Sequence, residues 1–214
     1  MTTIKMQTTV FRALLRATAL AASKDKTRPH LACVRLMVRD GRIIADATDG
    51  HRLHRASAPW RAFEDGEVPP EGVAILIPQA SLAACLKAVP APKRGQAPAL
   101  AVLTATGLET DSAAVRWSAV VEGALFPAVE RVIPPLREKA QKFERENCAS
   151  GWGIAPQYLI EACEACSAAL DGDRGGVIVQ TPETSLDPAR IHATGYIDGS
   201  MLVEVVCVVM PMRL

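Results

Sequence analysis

One unit is written three times along this chain, and a repeat of that kind constrains the architecture before any single residue is interpreted. Pro78-Gln79 marks the run ILIPQASLAACLKAV, and Pro156-Gln157 marks WGIAPQYLIEACEAC, 78 residues further on. At a similar distance upstream lies IKMQTTVFRALLRAT. Each run is a short apolar strand, a helix start signal and an amphipathic stretch. Proline suits a first helical turn, where its missing N–H has no partner to lose. Thr8 or Thr9 can cap the first helix, and Ser81 sits in the first turn of the second. Phe11, Leu14, Leu15 and Leu20 mark one apolar face. The spacing predicts helices over about 9–22, 79–89 and 156–169.

Short strands follow each helix. In LACVRLMVRDGRIIADATDGHRLHRASAP, the step Arg39-Asp40-Gly41-Arg42 reads as a tight hairpin turn, because glycine accepts the positive φ such turns need. Thr106-Gly107 and Asp111-Ser112 mark turns after the second helix. The repeated unit is therefore β-α-β-β-β, at roughly 1–73, 74–150 and 151–214. Pro134-Pro135 closes the second unit. The charged run LREKAQKFEREN that follows reads as a solvated linker helix.

Composition excludes several classes. Apolar residues reach 49% and aromatics only 4%, so the core is built from Ala, Val, Leu and Ile. A net charge of +1 gives no global pull toward nucleic acid or anionic membrane, so any DNA contact must be local. The opening stretch carries Arg12 and Arg16 inside its apolar run, unlike a secretory leader. No run reaches the length of a membrane span. Six scattered cysteines suit a reducing, cytoplasmic setting better than a disulfide framework. Cys163 and Cys166 have no second pair nearby to complete a metal site, and they lie mid-helix among alanines, so they read as small core residues. No cofactor is implied.

Four motifs carry a family resemblance: ATDGHRL at 47–53, FPAVERVIP at 126–134, IAPQYLIEA at 154–162 and VVMPMRL at 208–214. In this order and spacing they resemble the bacterial sliding clamp, the β subunit of DNA polymerase III. The resemblance implies an α+β DNA-clamp fold of β-α-β-β-β half-domains. Residues 1–135 resemble the complete middle clamp domain, 136–149 form a linker, and 150–214 resemble the second half of the last domain. In the family, twelve half-units close a ring around duplex DNA. Three half-units per chain imply a homo-oligomer, with a tetramer favoured over a dimer. The unpaired half-unit is expected to be completed by another subunit.

The resemblance also implies two sites. The first is a cleft for short clamp-binding motifs of polymerases and repair proteins. It would use Thr48, Gly50, His51, Arg52 and Leu53, then Pro127 and Val132, then Val208, Val209, Met210, Pro211, Met212, Arg213 and Leu214, with Leu31 as a further member. Taken singly, Leu53 and Val132 read as core. Met210, Pro211 and Met212 are apolar beside a chain end, which fits an adaptable binding wall. His51 beside Asp49 has no nucleophile or metal set to make it catalytic, so no enzyme is expected. The second site is a DNA-facing helix surface of Arg12, Arg16, Lys24, Lys26, Arg28, Lys87, Lys93 and Arg94, whose alternative is ordinary solvated charge. Arg12 and Arg16 lie four apart on one helix face. Between Gln157 and Leu170 the third helix carries no Lys or Arg, only Glu161 and Glu164. The function implied is a processivity factor put on DNA by a clamp loader. The alternative is a clamp mimic that binds the same partners without encircling DNA.

Overall fold

A computed structural model describes residues 3–60, 72–91, 99–119, 125–136, 153–170, 176–182, 187–197 and 201–211. The first half-unit is β1 (Thr3–Gln7), α1 (Thr8–Ala19), β2 (Cys33–Arg39), β3 (Arg42–Thr48) and β4 (Arg52–Pro59). The second is β5 (Ala74–Pro78), α2 (Gln79–Ala88), β6 (Leu100–Thr104), β7 (Gly107–Thr110) and β8 (Ala114–Arg116), followed by a 3-10 turn at Val129–Val132. The third is α3 (Pro156–Leu170), β9 (Ile178–Gln180), β10 (Ala189–Ile197) and β11 (Met201–Val209). The three helices fall where the repeat predicts them. The proposed linker helix lies outside the described residues, apart from its exposed first residue, Leu136.

The first two half-units exchange their lead strands. β1 joins the second half-unit in the sheet β1-β6-β7-β8. β5 joins the first in β5-β2-β3-β4. Each helix then begins at the other half-unit's border. The Thr8 amide donates to the Ala99 carbonyl at 2.9 Å, and the Gln79 amide donates to the Ala32 carbonyl at 2.9 Å. These carbonyls replace the expected threonine cap, for α1 has no side-chain cap hydrogen bond. Thr8 and Thr9 are already helical because β1 runs into α1 without a loop.

The third half-unit extends the larger sheet. β11 pairs antiparallel with β4 from Glu204↔Ser57 to Val209↔Arg52, giving the seven-stranded order β5-β2-β3-β4-β11-β10-β9. α1 and α3 pack together on one face of this sheet. Phe11, Leu14 and Leu15 are fully buried there, each worth roughly 1.5–3 kcal/mol. Leu20 departs from that face: it is the exposed C-cap of α1. The β2–β3 hairpin turns through Asp40 (φ 51°) and Gly41 (φ 66°), with Arg39 paired to Arg42. Both central residues are left-handed, as the two-residue hairpin turn that follows strand twist requires.

His54 on β4 is buried beneath α1, and its Nδ1–H donates to the Ala17 carbonyl at 3.1 Å. Burial pulls its pKa down from 6.5 to about 4. Unfolding therefore takes up a proton between those two values. The stability that His54 contributes is complete above pH 6.5 and is lost as pH falls toward 4. The full loss is about 3 kcal/mol. Urea midpoints for the wild type and His54→Gln should converge from pH 7 to pH 4; parallel curves would refute the assignment.

Candidate partner-binding cleft

Strand alternation divides the seven-stranded sheet into a helix face and an outer face. On the outer face, register sets Gln180, Arg190, Val208, Leu53 and Thr48 side by side across β9, β10, β11, β4 and β3. The neighbouring row holds Ile178, His192, Val206, Arg55, Asp46 and Arg35. Both rows cross the junction between the first and third half-units.

The segment FPAVERVIPP lies over these rows. Val129 is buried against Leu53, Val206 and Val208, with Phe126 and Ile133 at the edges. Asp46, fully buried, accepts from Arg35 Nη2 at 2.6 Å and from Arg55 Nε and Nη2 at 2.7 and 3.0 Å. The same two guanidiniums reach Glu130 Oε1 at 3.3 and 3.0 Å. Arg35 also stacks on the Phe126 ring, 4.5 Å from its centroid. Farther along, Arg190 donates to the Pro134 carbonyl at 2.7 Å and Gln180 to the Pro135 carbonyl at 3.1 Å. The segment thus spans the outer face from β2 to β9.

Between it and the β9–β10 end opens a cleft of about 440 Å³. Its walls are Val132, Ile133, Pro134, Pro135, Pro182, Pro188 and Met210, with Arg131, Gln180 and Asp187 as polar contributors. Val132 and Met210 stand 44% and 39% exposed, which is open apolar surface for a ligand to cover. The Met210 amide donates to the His51 carbonyl at 3.0 Å, fixing the tail beside the ATDGHRL loop. In that loop Gly50 has φ 95°, so glycine is required by backbone geometry there.

The residues expected from the sequence divide into groups. Val132 and Met210 line the cleft. Leu53 and Val208 lie beneath Val129 as its buried floor. Thr48 holds the loop, its hydroxyl donating to the Arg52 carbonyl at 2.6 Å. Pro127 and Pro211 are half-buried and His51 is exposed. Leu31 is buried in the turn before β2, outside the cleft lining. Val209 needs correction: alternation turns it to the helix face, where it is core. Arg52 turns the same way. Its guanidinium contacts Asp49 at 3.1 Å, Glu161 of α3 and the Leu20 carbonyl at 2.6 Å, and it stacks on Tyr158 at 4.6 Å. It docks α3 and does not line the cleft. Met212, Arg213 and Leu214 lie outside the described residues.

Among the basic residues, Arg12 also needs correction. It donates to the Leu86 and Val89 carbonyls at 3.1 and 2.7 Å, closing the C-terminal end of α2. Arg16, Lys24, Lys26, Arg28 and Lys87 are exposed, with Arg28 paired to Asp25 at 3.6 Å. Lys93 and Arg94 lie outside the described residues. Cys166 is buried and Cys163 half-buried. The Cys207 thiol is pushed up by its hydrogen bond with Cys166 and by burial. No helix among the described residues is long and apolar enough to cross a membrane.

This fold of half-units with exchanged lead strands is that of the sliding-clamp class of protein. Solved structures of that class share the fold. The DNA polymerase sliding clamp of Pseudomonas aeruginosa matches 100% of the chain at 18% identity and a TM-score of 0.65, and the β sliding clamp of Caulobacter crescentus matches 99% at 20% and 0.67. A sliding clamp of Bartonella birtlesii bound to griselimycin matches 100% at 18% and 0.62. The chain spans 67%, 65% and 66% of those clamps, about two thirds of each. No curated protein matches in sequence. Residues 5–123 match the central domain of the DNA polymerase III beta subunit, and the chain belongs to that family.

Proposed function

We propose that this protein is a non-enzymatic sliding clamp that tethers polymerases and repair proteins to duplex DNA. Its partners would insert short motifs into the cleft between Met210 and the 131–135 segment. The observation that carries the reading is the cleft itself, open, largely apolar, and walled by the 131–135 segment on one side and by Pro182, Pro188 and Met210 of the third half-unit on the other. Extended peptides are recognised by such apolar pockets with a few polar contacts at the rim. The protein would act as a homo-oligomeric ring. Four copies of a chain with three half-units supply the twelve of the family ring, which favours a tetramer over a dimer. A ring needs a loader to open it, and its contacts to DNA carry no sequence information. Exposed Arg16, Lys24, Lys26, Arg28 and Lys87 are the candidates for those contacts, joined by Lys93 and Arg94.

A second reading has its own support. α3 contributes no Lys or Arg, and Arg12 is engaged at the end of α2. A mimic that binds clamp partners without encircling DNA has no need of a basic lining.

The test has two arms. Met210→Asp and Val132→Asp should each weaken binding of a fluorescent clamp-motif peptide at least about 10-fold, since each puts a charge into an apolar contact. Melting temperature should hold, because both side chains are already solvent-exposed. Unchanged peptide affinity would reject the cleft. In the second arm, a loaded ring stays on a circular duplex and is lost when the duplex is linearised. Peptide binding without such retention selects the mimic.

A further inference from the structure

Among the described residues, the third half-unit lacks the lead strand that the other two give each other. The repeat aligns Phe11 of α1, Leu82 of α2 and Ile160 of α3, each three residues beyond the Thr8, Gln79 and Gln157 positions. Phe11 and Leu82 are 0% and 5% exposed, whereas Ile160 is 52% exposed. The next turn repeats the contrast: Leu14 and Cys85 are buried, while Cys163 is half-buried. α3 buries its other face instead. Ala162, Ala165 and Cys166 join the core beside α1 and the sheet. The helix positions buried in the first two half-units are therefore the open ones in α3.

The sheet edge repeats the pattern. β6 receives β1, and β2 receives β5. In both, helix-face residues such as Leu36 and Leu103 are fully buried. Among the described residues β9 has only β10 beside it, and its helix-face Val179 is 48% exposed. Gly153–Ala155 precede α3 as β1 and β5 precede their helices, yet they belong to no ladder among the described residues; Gly153 holds a single bridge position.

We infer that a second copy of this chain completes the third half-unit by reciprocal strand exchange. Each copy lays Gly153–Ala155 along the β9 edge of the other, and the two Ile160 faces meet near a two-fold axis. The occupant follows from symmetry within the chain. The one surface known here to complete such a half-unit is another half-unit, and the third is the only one without a partner among the described residues. A contact that uses the same patch twice is the commonest form in homo-oligomers. It also covers a strand edge that has no neighbour among the described residues, and bare edges of that kind template aggregation. By the register of the first pair, in which Met6 faces Ala101 and Ile77 faces Val34, Ala155 would face the partner copy's β9 at its second residue. Glu164 stands where α1 has Leu15 and α2 has Leu86, so one carboxylate per copy intrudes on this contact.

This inference deepens the homo-oligomer named above and does not depend on DNA or peptide binding. Sedimentation equilibrium of the full chain tests it. The wild type should show an even multiple of the chain mass. Ile160→Asp should raise the dissociation constant of that contact about 100-fold or more, while Tyr196→Asp, at an exposed site on β10, leaves it unchanged. Glu164→Leu restores the apolar residue and should tighten the contact about 10-fold. A wild type that stays monomeric at high concentration, or an unchanged mass for both α3 variants, overturns the inference. Peptide binding to the Ile160→Asp variant is read in parallel. Its loss in a folded variant would count against the cleft and not against this surface.

Discussion

Asp46→Ala should cost about 3–5 kcal/mol of folding stability, the range for breaking a buried ion pair from one side. Asp46 is fully buried and holds two guanidiniums directly opposite it on β2 and β4. Removing it leaves Arg35 and Arg55, each less than a fifth exposed, facing one another. Glu130 cannot neutralise both, for its carboxylate meets them from the exposed side at 3.0 and 3.3 Å. The loss should therefore spread to the strap, with Phe126, Val129 and Glu130 detaching and the cleft wall moving with them. Replacing all three members with apolar residues of similar volume, as Arg35→Met with Asp46→Leu and Arg55→Met, should recover most of the stability. It should not recover peptide binding, because Glu130 keeps no anchor. Urea titrations and peptide anisotropy on both variants separate these effects. Full peptide affinity in the triple variant would mean that the Val129 packing and the Arg190 and Gln180 hydrogen bonds suffice to hold the strap.

Arg52→Ala carries the second large effect, about 3 kcal/mol. The guanidinium joins three parts of the chain: the Asp49 loop, the end of α1 and the first turns of α3. Without it, Glu161 and Asp49 face each other with no cation between them, and Tyr158 loses its stacking partner. Hydrogen exchange should speed up in α3 while α2 keeps its protection. Arg52→Lys should rescue little, since an ammonium can neither fork between two carboxylates nor stack as a plane. Equal protection in α3 before and after the change would show that the Ala162–Ala165–Cys166 packing suffices to dock the helix.

The repeat made the helices legible to within a few residues because apolar spacing and proline placement are local signals. The β2–β3 turn was legible for the same reason. The ion-pair triad was within reach too: counting back from Asp40-Gly41 sets Arg35 opposite Asp46. Nothing in the sequence marks the three charges as interior, because it is the strap that covers them. Arg52 and Val209 were misdirected by motif position. A motif names residues, while strand alternation decides which face each one serves. Arg12 was misread because the α2 carbonyls it meets lie more than seventy residues away. Pro182, Asp187 and Pro188 belong to no quoted motif, so the far wall of the cleft left no mark in the sequence.

The β4–β11 ladder joins residues about 150 positions apart. During synthesis at roughly 5–20 residues per second, β4 emerges and waits on the order of ten seconds or more for its neighbour. Through that interval the first two half-units can fold with their exchanged strands, but the hydrogen-bonding edge of β4 stays bare. Closure of the seven-stranded sheet is therefore a late event, and the nascent chain depends on whatever shields that edge until Val205–Val209 arrive.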